Sequence, residues 1–185
     1  MEFALSEEQG ILSESIKKMF DENISVDNLR DHSKGDKSLR KTIRRSIIDM
    51  GLPGLMIPEE YGGSGLGVLE ASLVAEQLGS YAVPSPWIGN SIMAPTAILF
   101  EKDNHLAEKW LPLIASGEIT ACISMSEVIG KRGDLGLTAN GDKVSGINIF
   151  GVDGELDPAI IITAVDNNLI LIETDNNGVE INEIP

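Results

Sequence analysis

The sequence predicts an α+β fold: an N-terminal all-helical domain over residues 1–117, followed by an antiparallel β-domain over residues 118–185. Three observations carry that expectation. As far as Leu111, apolar residues recur every three or four positions, the spacing of one helix face. From Ile119 the period drops to two, with Ile119, Ala121, Ile123 and Met125 alternating with Thr120, Cys122, Ser124 and Ser126. Beyond that point the connections between apolar runs are too short for crossover helices, so the strands are expected to run antiparallel.

The elements follow in order. A first helix starts at Ser6, where Gln9 three residues later completes a capping box and Leu12, Ile16, Met19 and Phe20 share one face. No hydrophobic staple is expected, because Leu5 would have to meet Gly10. Residues 21–37 are polar and unpatterned, which leaves the end of this helix open. A second helix fits 38–50, with Leu39, Ile43, Ile47 and Met50 inward, Arg40, Lys41, Arg44 and Arg45 off the stripe, and Gly51 as the stop. Residues 51–67, GLPGLMIPEEYGGSGLG, are too rich in Gly and Pro for regular structure and form a shaped loop. A third helix covers about 68–78, with Leu69, Leu73 and Val74 inward and Gly79 just past its end. The prolines of YAVPSPW enforce an extended turn. Residues 88–100 are helical in pattern, and Pro95 is expected to kink or divide them. The last helix is capped by Asp103 or Asn104, presents Leu106, Trp110 and Leu111, is disturbed at Pro112 and ends at Gly117.

In the β half, Asn140-Gly141 marks a hairpin between 135–139 and 143–150. Two further strands, 159–165 and 169–174, flank the turn residues 166–168, and the tail 179–184 alternates as well.

Composition removes several function classes. The net charge of −15 argues against nucleic acid, whose phosphates need a basic surface. The charge is uneven: residues 118–185 carry 3 basic and 12 acidic side chains, against 11 and 17 in 1–117. That reads as a solvated acidic surface, with a face for another domain or partner as the alternative. A single cysteine, Cys122, excludes an internal disulfide, and its place in the strand makes it a packed thiol more than a nucleophile. His32 and His105 stand alone, so no metal site is expected. No run approaches the ~18 apolar residues of a membrane span, and the first residues lack a signal-peptide pattern, which places the protein in the cytoplasm. There is no GxSxG elbow, no P-loop and no GxGxxG after a strand. The glycines at 62–67 read as a packed turn between helices more than a phosphate loop. Trp87 and Trp110 read as core or interface anchors, and Tyr61 as packing support for the glycine loop.

Four segments, in order, resemble acyl-CoA dehydrogenases. LPGLMIPEEYGGSGLG at 52–67 is similar to the family's helical-domain signature, in which a Gly-Pro-Glu-Tyr-Gly-Gly pattern follows a Gly-Leu pair. LPLIASGE at 111–118 resembles the motif that closes that domain. ACISMSEVIGKRGD at 121–134 sits where the family has its Thr-Glu-Pro and Gly-Ser-Asp flavin loop, and the NGDKVSG hairpin follows at the expected distance. The resemblance covers the whole chain.

The resemblance implies FAD as cofactor and the introduction of an α,β double bond into an acyl-CoA thioester. Through it, Ile123, Met125 and Ser126 are expected to contact the flavin from the first strand and its loop, and Phe150, Gly151 and Val152 from the strand after the hairpin. Ser126 and Arg132 are expected to face the substrate. The sequence also departs from the pattern. Ser126 keeps a hydroxyl where the family has threonine, Val128 replaces a proline, and Arg132 replaces the serine of Gly-Ser-Asp. Val152 takes the place of a threonine near flavin N5 and has no proton to donate. Glu127 matches the motif's glutamate and is assigned a structural or solvent role. The family's catalytic glutamate and much of its adenine-nucleotide surface lie on a C-terminal helical bundle that this chain lacks. No residue here is therefore expected to be catalytic, and the chain alone is expected to be inactive. The implied partners are the acyl-CoA substrate, an electron-transfer flavoprotein or similar acceptor, and homologous subunits in a homo- or hetero-oligomer. YAVPSPW resembles divergent subunits of heteromeric complexes that act on bulky thioesters, as in bacterial steroid breakdown. The alternative reading is accordingly a non-catalytic structural subunit whose flavin site has degenerated beside a catalytic partner.

Overall fold

The computed structural model describes residues 4–101, 104–124, 135–141, 143–154, 157–165 and 168–182. Among them, six α-helices precede six strands, in the expected order. Helix α1 (Glu7–Asn23) opens on the Ser6/Gln9 capping box: the Gln9 amide donates to Ser6 Oγ at 3.2 Å and the Ser6 amide to Gln9 Oε1 at 2.9 Å. Helix α2 (Val26–Ser33) fills the stretch that sequence pattern left open. It buries no residue, so no apolar stripe announces it, and its only signal is a Ser25/Asn28 cap. Helix α3 (Ser38–Asp49) turns Leu39, Ile43 and Ile47 inward and stops where Gly51 adopts φ +70°.

The loop that follows holds two short 3-10 turns, Leu52–Gly54 and Glu59–Tyr61, tied into one body by backbone hydrogen bonds. Ser64 donates to Gly54, Gly65 to Ile57 and Leu66 to Leu55, at 2.8–3.0 Å. These amides are spent on the loop itself, so the glycine run is a packed turn and not a phosphate cradle. Helix α4 (Val68–Ser80) runs two residues past the expected end, taking Gly79 into its last turn. Pro95 divides the next segment, as anticipated, into a π-helical stretch (Trp87–Met93) and α5 (Ala94–Leu99). Helix α6 (Asn104–Ala115) continues through Pro112. The proline removes one helix hydrogen bond, while Trp110, Leu111 and Ile114 on the same helix enter the core.

A four-stranded sheet has the order β4-β1-β5-β6, built from β1 (Ala121–Ser124), β4 (Gly151–Val152), β5 (Ile160–Val165) and β6 (Asn168–Glu173). The hairpin β2 (Gly136–Asn140) and β3 (Lys143–Ile147) pairs separately. Asn140 is the last ladder residue of that hairpin, and Gly141, at φ +60°, opens the two-residue turn. Pairing is antiparallel throughout except between β1 and β5, which run parallel. The short-connection argument applies to strands consecutive in the chain. Between β1 and β5 lie the hairpin and β4, which together make a connection long enough for a parallel return. The alternation expected in β1 is also absent from its burial: all four residues are buried, because both faces of this central strand are covered. Among the described tail residues 179–182 there is no strand.

Two apolar cores result. One joins α1, α3 and α4 around Ile16, Phe20, Ile43, Val74 and Trp87. The other spans the two halves of the chain, packing Ile98, Trp110 and Leu111 against Ile123, Ile160 and Ile162. Both tryptophans are thus core anchors, and Tyr61 packs against the second core from the glycine loop. No helix among the described residues is long and apolar enough to cross a membrane.

Candidate functional site

The edge formed by β4 against β1 gathers four of the expected site residues. The ladder sets Ile123 opposite Val152 and Ser124 opposite Gly151. Cross-strand neighbours in such a pair lie about 5 Å apart, so Ile123 and Val152 form one apolar step. Phe150, immediately before β4, has φ +61° and stands 44% exposed beside that step. Gly151 is required where it lies, since a Cβ there would come within 2.9 Å of Cys122 Sγ. Met125, Ser126 and Arg132, together with Glu127 and Val128, lie outside the described residues.

Polar side chains fix this edge from behind. Ser124 Oγ donates to the Ile149 carbonyl at 3.2 Å, and Asn148 Nδ2 donates to the buried Thr163 hydroxyl at 2.6 Å. The Asp153 carboxylate, just after β4, accepts the Gly89 amide at 2.6 Å and the Asn90 amide at 3.1 Å. Asn90 is 4% exposed, and its Oδ1 accepts the Ala121 amide at 2.8 Å. Sequence reasoning missed Gly89, Asn90 and Asp153. The available signal was a lone asparagine inside an otherwise apolar helical run, since a buried amide side chain must find partners.

Electrostatically the site is quiet. Burial first, then the nearby Asp153 charge, pushes the Cys122 thiol up to about 11, so the sulfur stays protonated and is no nucleophile at neutral pH. Among the described residues no three His, Cys, Asp or Glu side chains gather as metal ligands. Among the described residues the arrangement offers an apolar edge, half-buried Val152 and exposed Phe150 with Ile123 buried opposite Val152, and the Asp153 carboxylate beside it is engaged by the Gly89 and Asn90 amides.

Comparison with known proteins follows the same line. Residues 6–118 match the family described as acyl-CoA dehydrogenase, N-terminal domain. The chain is 33% identical over 126 residues to mitochondrial isovaleryl-CoA dehydrogenase of Pongo abelii, covering 66% of this chain and 30% of that protein. It is 24% identical over 149 residues to the acyl-CoA dehydrogenase IpdE2 of Mycolicibacterium smegmatis, covering 79% of this chain and 47% of that one. Among solved structures, the ChsE4-ChsE5 complex from Mycobacterium tuberculosis superposes with a TM-score of 0.81 at 21% identity, over 100% of this chain and 52% of that one. The chain thus spans from about a third to about half the length of these relatives. With more than half its residues matched by the family, and with helices preceding a largely antiparallel sheet as in these relatives, the chain belongs to the acyl-CoA dehydrogenase family.

Proposed function

We propose that this chain forms the helical domain, 1–117, and the start of the β-domain, 118–185, of an FAD-dependent acyl-CoA dehydrogenase, a flavoprotein oxidoreductase acting on a CoA thioester. The observation that carries the reading is half-buried Val152 with exposed Phe150 beside it at the edge of the sheet, backed by buried Ile123 opposite Val152 in the ladder, in a member of this family. These residues fit one wall of a flavin site: a planar ring needs a dry, apolar face, and β4 offers one at the sheet edge. Bound FAD would supply the acceptor for the hydride that leaves the substrate β-carbon. On this reading Val152 and Phe150 exclude water and orient the ring, Ile123 backs Val152 from β1, Met125 and Ser126 complete the wall, and Ser126 and Arg132 face the thioester. Val152 lacks a hydroxyl, so the ring forgoes one hydrogen bond worth about 0.5–1.5 kcal/mol net. The partners are acyl-CoA, an electron-transfer flavoprotein or similar acceptor, and homologous subunits.

Val152 also supports a second reading, a structural subunit beside a catalytic homologue. The ChsE4-ChsE5 complex, the solved relative with a TM-score of 0.81, pairs two differently named chains, which accords with that reading. Native mass spectrometry of the full polypeptide from its source cells separates the two. One FAD per subunit, with visible flavin absorbance bleached by acyl-CoA, is the result expected for the enzyme. One FAD per pair of unlike subunits shifts the chemistry to the partner. A complex carrying no flavin at all sinks both.

A further inference from the structure

We infer that Asp153 is a positioning residue, whose carboxylate seats the β4 edge on the first turn of the Trp87–Met93 helix and so sets where Val152 and Phe150 meet a flavin ring. The inference deepens the flavin reading above and rests on it.

Strand β4 has two residues, too few for its ladder with β1 to fix its place. On either side stand Phe150 and Asp153, with φ of +61° and +65°. Left-handed backbone at residues other than glycine is strained and persists where the surroundings over-determine it. The surroundings here are one helical turn. Asp153 Oδ2 accepts the Gly89 amide at 2.6 Å and the Asn90 amide at 3.1 Å, and hydrogen bonds to a charged acceptor are the strong ones. At Gly89 an added Cβ would lie 2.5 Å from the Val152 carbonyl oxygen, so the turn and the strand touch backbone to backbone. The next residue holds the other strand: Asn90 Oδ1 accepts the Ala121 amide at 2.8 Å, and its Nδ2 donates to Ser91 Oγ at 3.3 Å. Consecutive residues of the helical half therefore locate β1 and β4, and through them the Ile123–Val152 step. Contact with a flat ring fades over fractions of an ångström, so a shift of β4 weakens ring binding before it unfolds anything.

The test uses the full polypeptide with Asp153→Ala and Asp153→Asn. The readouts are FAD dissociation constant, the visible spectrum of bound flavin, melting temperature, and hydrogen exchange at residues 121–124 and 151–152. Asp153→Ala is expected to weaken FAD binding about tenfold, the scale of one lost charge-assisted hydrogen bond, and to alter the flavin spectrum. Asp153→Asn keeps an acceptor oxygen and is expected to recover most of the loss. Wild-type affinity and spectrum in Asp153→Ala overturn the inference. So does an affinity loss that merely tracks melting temperature and is not recovered by asparagine. If the alanine variant does not fold, Asp153→Glu replaces it: the charge remains but the longer arm displaces β4, so weaker FAD binding than in Asp153→Asn is expected and equal binding overturns the claim. If the wild-type protein itself takes up no FAD, the flavin reading fails and exchange decides the positioning claim. Faster exchange at 151–152 with α1 protection unchanged upholds it, and unchanged exchange refutes it.

Discussion

Cys122 shows how one buried residue makes stability depend on pH. Its thiol, 2% exposed, is pressed against Gly151 and Gly154, and burial first, then the Asp153 charge, lifts it from an ordinary value of 9.0 to about 11. A raised folded value means that the native state holds a proton which the unfolded chain has released. The stabilisation is fully present below pH 9 and is lost as pH rises through about 11. Two units correspond to about 3 kcal/mol at most. The difference in unfolding free energy between wild type and Cys122→Ala should shrink across that window, and the thiol should react with an alkylating reagent only on unfolding. A gap independent of pH, or rapid alkylation of the native protein at pH 8, counts against this account. A packed Cys122 was readable from its place in a strand. The reason for its burial was not, because Gly151 and Gly154 approach it only once β4 is laid beside β1, and no local pattern encodes that pairing.

At the scale of elements, α1 and α4 run side by side and are tied at their starts. Gln9, already half of the α1 capping box, also donates to Glu70 Oε1 at 2.9 Å, while Glu70 Oε2 accepts the Gly67 amide at 3.0 Å at the start of α4. The Gln9 hydrogen bond first, then the backbone amides of Glu70 itself and Gly67, holds the Glu70 carboxyl below its ordinary 4.5. A depressed folded value contributes stability above the unfolded value and loses it as pH falls through the folded one. Replacing Glu70 with Gln should therefore destabilise the protein at neutral pH by an amount that shrinks below about pH 4.5. A constant penalty down to acid unfolding, followed by circular dichroism, would remove Glu70's charge from the account. The capping box was legible because Ser6 and Gln9 act locally. The Gln9–Glu70 tie was not, since 61 residues separate them. The missed α2 and the uninterrupted α6 share one cause with opposite sign: α2 buries nothing that would betray it, whereas α6 buries so much that Pro112 does not end it.

The whole molecule turns on the core shared by its helical and β halves. The sequence marks a change of period near Ile119, and in the structure α6 ends at Ala115 and β1 starts at Ala121. Packing runs across that stretch, because Trp110 and Leu111 of α6 enter the same apolar cluster as Ile123 and Ile160 of the sheet. The Lys109–Glu173 ion pair also spans it at 2.6 Å, but with both side chains about 40–45% exposed such a pair contributes only about 0–1 kcal/mol. Apolar burial dominates, at about 1.5–3 kcal/mol for each large side chain removed from water. Ile160 is wholly buried in this cluster, so Ile160→Ala should cost about 2–5 kcal/mol. Where that loss appears is the sharper observable. If α6 and the sheet open as one unit, hydrogen exchange in Ile160→Ala should accelerate along Asn104–Ala115 as much as along Ile160–Val165, while α1, which rests in the other core, responds less. Acceleration confined to β5 and β6 would instead make the helices an independent unit. The Asp153 and Asn90 tethers would then be the principal means by which the helical half holds β1 and β4 in place.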